Sequence, residues 1–307
     1  MADQTKSNLK HRENADVAVA GPADKADPAK SFRARDALKA LGPGLITGAA
    51  DDDPSGIGTY SQAGAQLGYG IGWTMLLTFP LMAAIQEISA RVGRVTGHGI
   101  SGNVCRHYSA PLLNVVVTLL FIANTINIAA DLGAMADATK LLIGGHGIVY
   151  VLLFGFISVA AQIFFDYKRY VAVLKWLTLS LFAYVAALAF ARVSWGEALA
   201  GILLPRPTWS ADYFTTIVAI LGTTIAPYLF FWQASQEAED QRVDARKRPL
   251  IEKHHGAQRE FNRIRADTVV GMAFSNLIAL SIIVTAAASL HATGKTDIRS
   301  SADAAEA

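Results

Sequence analysis

The sequence has few charged residues and a single cysteine. Lys, Arg, Asp and Glu make up 17% of its 307 residues, whereas apolar residues make up 52%. The lone Cys105 excludes an intramolecular disulfide framework and a cysteine cluster that could hold a metal. Most of the charges lie in the first forty residues, in 236–267 and in short connectors, so long apolar runs separate them.

Most of these apolar runs are close to the ~20 residues that a helix needs to cross a bilayer. Each run is apolar nearly all round, which favours membrane spans over the amphipathic helices of a soluble core. The predicted fold is therefore an all-α integral membrane protein. Its seven predicted spans are 41–63, 70–90, 112–139, 148–165, 172–191, 213–234 and 268–290, between a disordered tail (1–40) and a polar tail (291–307).

Lys and Arg near the ends of the spans predict the orientation. Eight basic residues lie in 1–40 and eight in 242–265, whereas 64–69 has none and Lys140 is the single one after span 3. The bias alternates at each crossing, so we expect a cytoplasmic N-terminus. The sequence predicts a multi-pass protein of the inner (cytoplasmic) membrane, surrounded by the lipid bilayer. Since 242–265 also holds acidic residues, we interpret it as a solvated loop with no nucleic-acid partner.

Span 1 contains three consecutive carboxylates in its middle, followed by a proline. Pro54 lacks a backbone donor and clashes with the preceding helical turn, and Asp53 before it is biased away from the α region. At membrane depth, broken backbone is tolerated only where it is buried in protein or lines a watery cavity. Ionisable residues there are costly and usually functional. The break therefore predicts a functional site, and the alternative is a surface loop between two short helices.

Span 6 repeats this anomaly. Gly222, Thr223 and Thr224 precede Ala226 and Pro227 near its centre. Because five spans separate the two breaks, the two segments run in opposite directions. Two interrupted helices at matching positions of inverted halves indicate the binding site of a transporter. The alternative is a pair of ordinary kinks, since proline is common in membrane helices.

The residues at the first break favour an oxygen-ligand cation site. The carbonyl end of a half-helix attracts cations, and Asp53 adds a full negative charge. No His or Met lies within either broken stretch. Imidazole and sulfur select later transition metals, whereas carboxylate, carbonyl and water suit Mg²⁺ and Mn²⁺. Since Mg²⁺ tends to keep its waters, we expect a partly hydrated hard divalent ion as the transported substrate, and no cofactor.

Span 3 carries a polar line. Asn124, Asn127 and Asp131 have i, i+3, i+7 spacing and share one helix face. Two interpretations remain open. These side chains either join helices by hydrogen bonds, or form a wall of the permeation path or a proton site.

Together, the two breaks resemble those of the Nramp family of divalent metal transporters. DDDPSG in span 1 resembles the family's Asp-Pro-Gly-Asn motif, and TIAPY in span 6 resembles its Met-Pro-His motif. The resemblance covers about 40–290 and implies a LeuT-like inverted-repeat helical bundle with helices 1 and 6 broken. It also implies that Asp53 binds the metal and that the carbonyls of Ala50 and Thr223 contribute. Asp131 resembles the third-helix aspartate of the family's proton path.

The sequence departs from the family pattern at several positions. Gly56 replaces the motif asparagine, Ala226 the methionine and Tyr228 the histidine, and Ala134 replaces an acidic residue three positions after Asp131. This variant pattern resembles the Nramp-related magnesium transporters. That resemblance implies a wider site, a hydrated Mg²⁺ or Mn²⁺, and weak or absent proton coupling.

These arguments define the candidate site and its alternatives. The predicted metal site comprises Asp53, Ala50, Gly56, Thr223 and Ala226, and the predicted pathway comprises Asp52, Asp51, Asn124, Asn127, Asp131 and Tyr228. The family fold is a five-plus-five repeat, so seven spans predict an incomplete bundle, from a fragment or from a chain completed by a second polypeptide. Two other functions remain open: an organic-substrate transporter that uses Na⁺, and an intramembrane aspartyl enzyme that uses Asp53 and Asp131.

Overall fold

The computed structural model describes residues 43–165, 167–205, 207–243, 249–251 and 257–296. Within these residues every regular element is helical, which confirms the all-α prediction. The predicted tail 1–40 lies outside the described residues, as does the polar tail after residue 296.

The α-helices are numbered here in chain order. They are α1 Pro43–Asp51, α2 Pro54–Leu67, α3 Trp73–Thr96, α4 Ile100–His107, α5 Ala110–Ile143, α6 Gly147–Phe164, α7 Tyr167–Thr178, α8 Phe182–Phe190, α9 Trp195–Leu203, α10 Ala211–Thr224, α11 Pro227–Val243 and α12 Ala257–Ala286. Short 3₁₀ turns at Gly68–Ile71 and Leu179–Leu181 link α2 to α3 and α7 to α8, and a π-helical turn, Ala287–His291, continues α12.

Five helical stretches of the described residues are long and apolar enough to cross a membrane. They are Trp73–Thr96, Ala110–Ile143, Gly147–Phe164, Ala211–Val243 and Ala257–His291. The other two predicted spans, 41–63 and 172–191, coincide with pairs of shorter helices, α1 with α2 and α7 with α8. Span 7 is longer than expected because the polar stretch 257–267 continues the helix, and span 3 extends by a few residues at each end. The short helices α4 and α9 were not predicted.

The break in span 1 has a clear local cause. Asp53 is the N-cap of α2, with extended backbone angles (φ −73°, ψ 168°) and a carboxylate that accepts the backbone N–H of Gly56. Pro54 follows at the first helical position, where its fixed φ suits the helix and where no hydrogen bond within α2 needs its N–H. Asp53 and Pro54 therefore interrupt the helix of span 1 and start α2.

Helix α12 runs alongside α1 in the same direction. Near the start of α1, the backbone N–H of Gly44 donates to Asp267 Oδ2 of α12 at 2.9 Å. Near the end of α1, the Ser275 hydroxyl donates to Asp51 Oδ2 at 2.8 Å. These two contacts fix α1 against α12 on either side of a close approach.

That close approach requires glycine. Gly48 faces Gly271, and a Cβ added to Gly48 would lie 2.2 Å from the Gly271 carbonyl oxygen. Any side chain at position 48 would therefore push α1 away from α12 and displace the carboxylates at the end of α1.

The main apolar core lies where α2, α3, α10 and α12 meet. Its fully buried members include Tyr60, Ile71, Met75, Ile220, Ile278 and Ile283. The helices around the break are thus packed against a buried apolar core on one side.

An ionic cluster joins three helices near the start of α12. Arg263 donates to Glu237 on α11 at 2.7 Å, and Arg94 on α3 donates to Glu260 at 3.1 Å. Glu237 is only 1% exposed and the Arg263 side chain is 23% exposed, so the carboxylate of this pair is buried. The cluster holds α3, α11 and α12 together at the end where α1 begins.

Candidate metal-ion site

A cavity of about 820 Å³ opens beside the break in span 1. Its walls come from α1, α5, α7 and α11 and from the loop residues before α2. The predicted site and pathway residues that line it are Ala50, Asp52, Asp53, Asn124, Asn127, Asp131 and Tyr228. The structure therefore brings residues of three predicted spans to one space.

Asp53 is the most densely bonded side chain of this cavity. Its Oδ1 accepts from the Gly56 backbone N–H at 2.8 Å and from the Ser55 hydroxyl at 2.7 Å. Its Oδ2 accepts from Asn127 Nδ2 at 2.9 Å and from the Tyr228 hydroxyl at 2.8 Å. The carboxylate thus connects the break in span 1 to span 3 and to span 6.

Asn127 stands between two carboxylates. Its amide nitrogen, which has two hydrogens, donates to Asp53 Oδ2 at 2.9 Å and lies 3.3 Å from Asp131 Oδ2. Because an amide separates the two acids, they do not share a proton as an aspartyl protease pair does. The arrangement does not favour the enzymatic alternative.

The two helix breaks are in direct contact. A Cβ added to Gly56 would lie 3.1 Å from the Asp51 carbonyl oxygen and 3.1 Å from Cγ2 of Thr223. Position 56 therefore has little room for the asparagine of the Nramp motif. The glycine allows the end of α10 to approach the start of α2.

Each proline also leaves a carbonyl without its helical partner. In a helix the N–H of residue i bonds to the carbonyl of residue i−4, and a proline has no N–H. Pro54 therefore cannot donate to Ala50, and Pro227 cannot donate to Thr223. Ala50 and Asp53 both line the cavity.

Four of the predicted residues do not line the cavity. Gly56 and Thr223 lie at the contact between the breaks, and Ala226 is 5% exposed at the end of the α10 segment. Asp51 is fully buried against Ser275.

The lining of the cavity is acidic. Three aspartates line it, and none of its described lining residues is Lys, Arg or His. No group of three or more His, Cys, Asp or Glu side chains in the described ranges could enclose a metal ion. An ion at this place would therefore rely on few carboxylates together with carbonyls and water, as Mg²⁺ commonly does.

Sequence reasoning missed several residues of the site. Met135 lines the cavity, although the sequence places no methionine within either break. It follows Asp131 by one helical turn, so helical spacing on span 3 is the signal that could have found it. Thr178 and Ser180, at the junction of α7 and α8, also line the cavity and carried no sequence signal.

A second cavity, of about 430 Å³, lies on the other side of the break. Ile57 and Ser61 of α2, Tyr184 of α8 and Thr285 of α12 are among its lining residues. Pro54 and Met135 line both cavities, so these two residues mark the partition between them.

Comparison with known proteins agrees with this geometry. The family model described as Nramp, natural resistance-associated macrophage protein-like, matches residues 44–307. A divalent metal cation transporter MntH from Chromohalobacter salexigens is 30% identical over 270 residues, covering 86% of this chain and 60% of the relative. An MntH from Verminephrobacter eiseniae is 27% identical over 260 residues, covering 83% and 56%. The chain thus spans about 60% of the length of such relatives.

Solved structures show the same fold. The crystal structure of a manganese transporter from Eremococcus coleocola, in complex with an aromatic bis-isothiourea compound, superposes with a TM-score of 0.68 at 17% identity. The alignment covers 83% of this chain and 52% of that one. A mutant of the same transporter gives a TM-score of 0.69 at 16% identity, covering 85% and 54%. The arrangement is that of a LeuT-like helical bundle. Since the family match extends over well more than half of the sequence, this multi-pass membrane protein belongs to the Nramp family.

Proposed function

We propose that this protein moves a divalent metal cation across the membrane through the cavity at the two helix breaks. The contact between the breaks, with the Asp53 carboxylate bonded to residues of spans 3 and 6, is the observation that carries the proposal. Discontinuous helices with exposed carbonyls coordinate cations at the centre of such transporters. The names of the curated relatives, divalent metal cation transporters, support the same function.

The proposed metal site is built around one carboxylate. Asp53 binds the ion, with backbone oxygens of Ala50 and Thr223 on the two sides. Gly56 contributes by allowing the two breaks to approach each other, and Ala226 by being small where the family motif has a methionine. The polar residues that form the proposed route to and from the ion are Asp51, Asp52, Asn124, Asn127, Asp131 and Tyr228.

The proposed substrate is Mg²⁺ or Mn²⁺ carrying part of its water shell. Carboxylate, carbonyl and water are ligands that suit both ions. Met135 lines the cavity one helical turn beyond Asp131, and Ala226, at the break in span 6, has only a methyl group. This donor set favours hard ions, as in the Nramp-related magnesium transporters that the sequence resembles.

Proton coupling is proposed to be weak or absent. Tyr228 stands where the family has a titratable histidine, and Ala134 stands where it has an acidic residue. The remaining acid of span 3, Asp131, is linked to Asp53 through Asn127. A proton leaving the site would therefore have few groups to carry it onward.

The proposed orientation follows from the distribution of Lys and Arg, with the N-terminus in the cytoplasm and the protein in the cytoplasmic membrane. In that orientation the larger cavity, which is lined by α1, faces inward. The smaller cavity, lined by α2 and the distal half of α12, faces outward. The partition at Pro54 and Met135 lies between them, as alternating access requires.

Isothermal titration of the purified protein with Mn²⁺ and with Mg²⁺ tests this function. We expect saturable binding to the parental protein and a loss of at least about a hundredfold in Asp53→Asn, equivalent to roughly 2.7 kcal/mol. Asp137→Asn, which removes an exposed carboxylate elsewhere on α5, is the matched control and should bind as the parent does. Absence of binding of both ions by the parental protein would refute the proposal.

A further inference from the structure

Asp52 is a buried carboxylate without a partner. It is 4% exposed, and both of its oxygens are shielded from solvent. In the described part of the chain, neither oxygen has a hydrogen-bond donor. Its neighbour Asp51 receives the hydroxyl hydrogen of Ser275, and a hydroxyl has only one hydrogen to give. Ser275 therefore cannot serve both acids.

An ionised carboxylate in this position needs a positive charge. Burying a charge without a counter-charge or hydrogen bonds is strongly unfavourable. The described residues that line the cavity next to Asp52 include no Lys, Arg or His. The buried carboxyl group is therefore either neutral, with a bound proton, or balanced by a mobile cation.

The carboxylate of Asp53, by contrast, is fully hydrogen-bonded. A carboxylate offers about four lone-pair positions. In Asp53 four donors lie within hydrogen-bonding distance, two at each oxygen. A cation that binds Asp53 must displace a donor, whereas one that binds Asp52 displaces none.

We propose that Asp52 is a direct ligand of the transported divalent cation, which it holds together with Asp53. Both residues line the same cavity and are adjacent in the chain. Because the Asp52 oxygens are shielded from solvent in this conformation, ligation requires the carboxylate to turn toward the cavity. Their combined charge of two matches that of the ion, and one or two carboxylates with water are the usual protein ligands of Mg²⁺. This inference rests on the proposed function and adds a ligand that the Asp-Pro-Gly-Asn motif does not contain.

Calorimetric titration with Mn²⁺ tests the inference on four forms of the full chain: the parent, Asp52→Asn, Asp53→Asn and Asp137→Asn. Asparagine has the size of aspartate, so it removes the charge and keeps the packing. We expect Asp52→Asn to weaken Mn²⁺ binding by at least tenfold, and Asp137→Asn to have no effect. In the absence of metal, Asp52→Asn should melt at a higher temperature than the parent because an unpaired buried charge has gone.

The outcomes separate this inference from the proposed function. Parental affinity in Asp52→Asn, beside weak binding in Asp53→Asn, would overturn the role of Asp52 and leave the proposed function standing. Asp52 would then be a neutral acid that holds a proton. Absence of Mn²⁺ binding in the parent itself would instead refute the proposed function.

A second variant reports on ligation directly. Asp52→Cys is made in a Cys105→Ser background, which removes the exposed native thiol. A thiolate at position 52 that ligates Cd²⁺, after losing its proton to solvent, gives an ultraviolet sulfur-to-metal charge-transfer band. The matched control is Asp137→Cys in the same background, which should give no band. A folded Asp52→Cys protein that binds Cd²⁺ without the band would overturn the inference.

Discussion

Tyr228 donates its hydroxyl hydrogen to Asp53 Oδ2 at 2.8 Å, and this bond joins the start of α11 to the break between α1 and α2. The phenol therefore occupies a lone pair that a metal ion would use. In the family motif this position is a histidine, so the contact is a property of this sequence. It suggests that the ion competes with Tyr228 for the carboxylate.

The first prediction removes that competitor. Tyr228→Phe keeps the ring and frees one acceptor of Asp53, so Mn²⁺ affinity should rise about fivefold, or about 1 kcal/mol, the worth of one hydrogen bond. Calorimetric titration measures it. Tyr150→Phe, which removes a hydroxyl that donates to the Gly144 carbonyl just after α5, is the control. Weaker binding in Tyr228→Phe would mean that the hydroxyl supports the bound ion.

The second prediction concerns ion selectivity at Ala226. A methionine here adds a soft donor that Cd²⁺ can use and Mg²⁺ cannot, and it takes up the room of a water. Ala226→Met should lower Mg²⁺ affinity and raise Cd²⁺ affinity, each by about tenfold, or roughly 1.4 kcal/mol.

Titration of Ala226→Leu with both ions is the matched control. Leucine has about the volume of methionine and no sulfur, so it should reproduce the loss of Mg²⁺ and not the gain of Cd²⁺. Since Ala226 is 5% exposed, both variants should also lose some thermal stability. Unchanged affinities for both ions in Ala226→Met would place the ion away from span 6.

The third prediction concerns coupling. Because Ala134 and Tyr228 replace titratable groups of the family pattern, Mn²⁺ should enter liposomes that contain the protein without acidifying their interior. A trapped pH-sensitive dye, read beside a trapped Mn²⁺ indicator, makes the measurement, and protein-free liposomes give the background. Acidification in step with Mn²⁺ entry would show that Asp131 or Asp53 still carries protons.

The fourth prediction concerns the buried ion pair of α11 and α12. Arg263→Met leaves the Glu237 carboxylate buried without its partner and should destabilise the protein by about 3–5 kcal/mol, visible as a lower melting temperature. Adding Glu237→Leu should restore most of the loss, because the unpaired charge disappears.

The exposed pair formed by Arg242 and Glu239 is the control for this experiment. Their side chains are 67% and 41% exposed, so Arg242→Ala should change stability by less than about 1 kcal/mol. Equal effects of Arg263→Met and Arg242→Ala would show that the interior pair does not hold α11 to α12.

The helices and their breaks could be predicted from local sequence. Apolar runs of membrane length mark the long helices, and the missing donor of Pro54 and of Pro227 marks the breaks. The prediction of an Nramp-like bundle is confirmed by the family match. These features depend on short stretches of chain, which is why one sequence was enough to find them.

The packing around the break could not be predicted, because it depends on residues far away in the chain. Asp267 and Ser275 lie on α12 and bond to α1 across more than two hundred residues. Together with Gly271 they form a stripe at four-residue spacing, but such a stripe does not say which helix it faces. For the same reason, the sequence did not show that Asp52 has no partner whereas Asp53 has four donors.

The central claim is that a divalent cation sits beside Asp53 at the contact of the two breaks. Diffraction from crystals grown with Mn²⁺, recorded at the manganese absorption edge, tests it most directly because the anomalous signal locates the ion itself. We predict one strong peak in the large cavity, next to the Asp53 carboxylate and the Ala50 carbonyl, and its loss in Asp53→Asn. Peaks at surface carboxylates alone, with none in the cavity, would contradict the account.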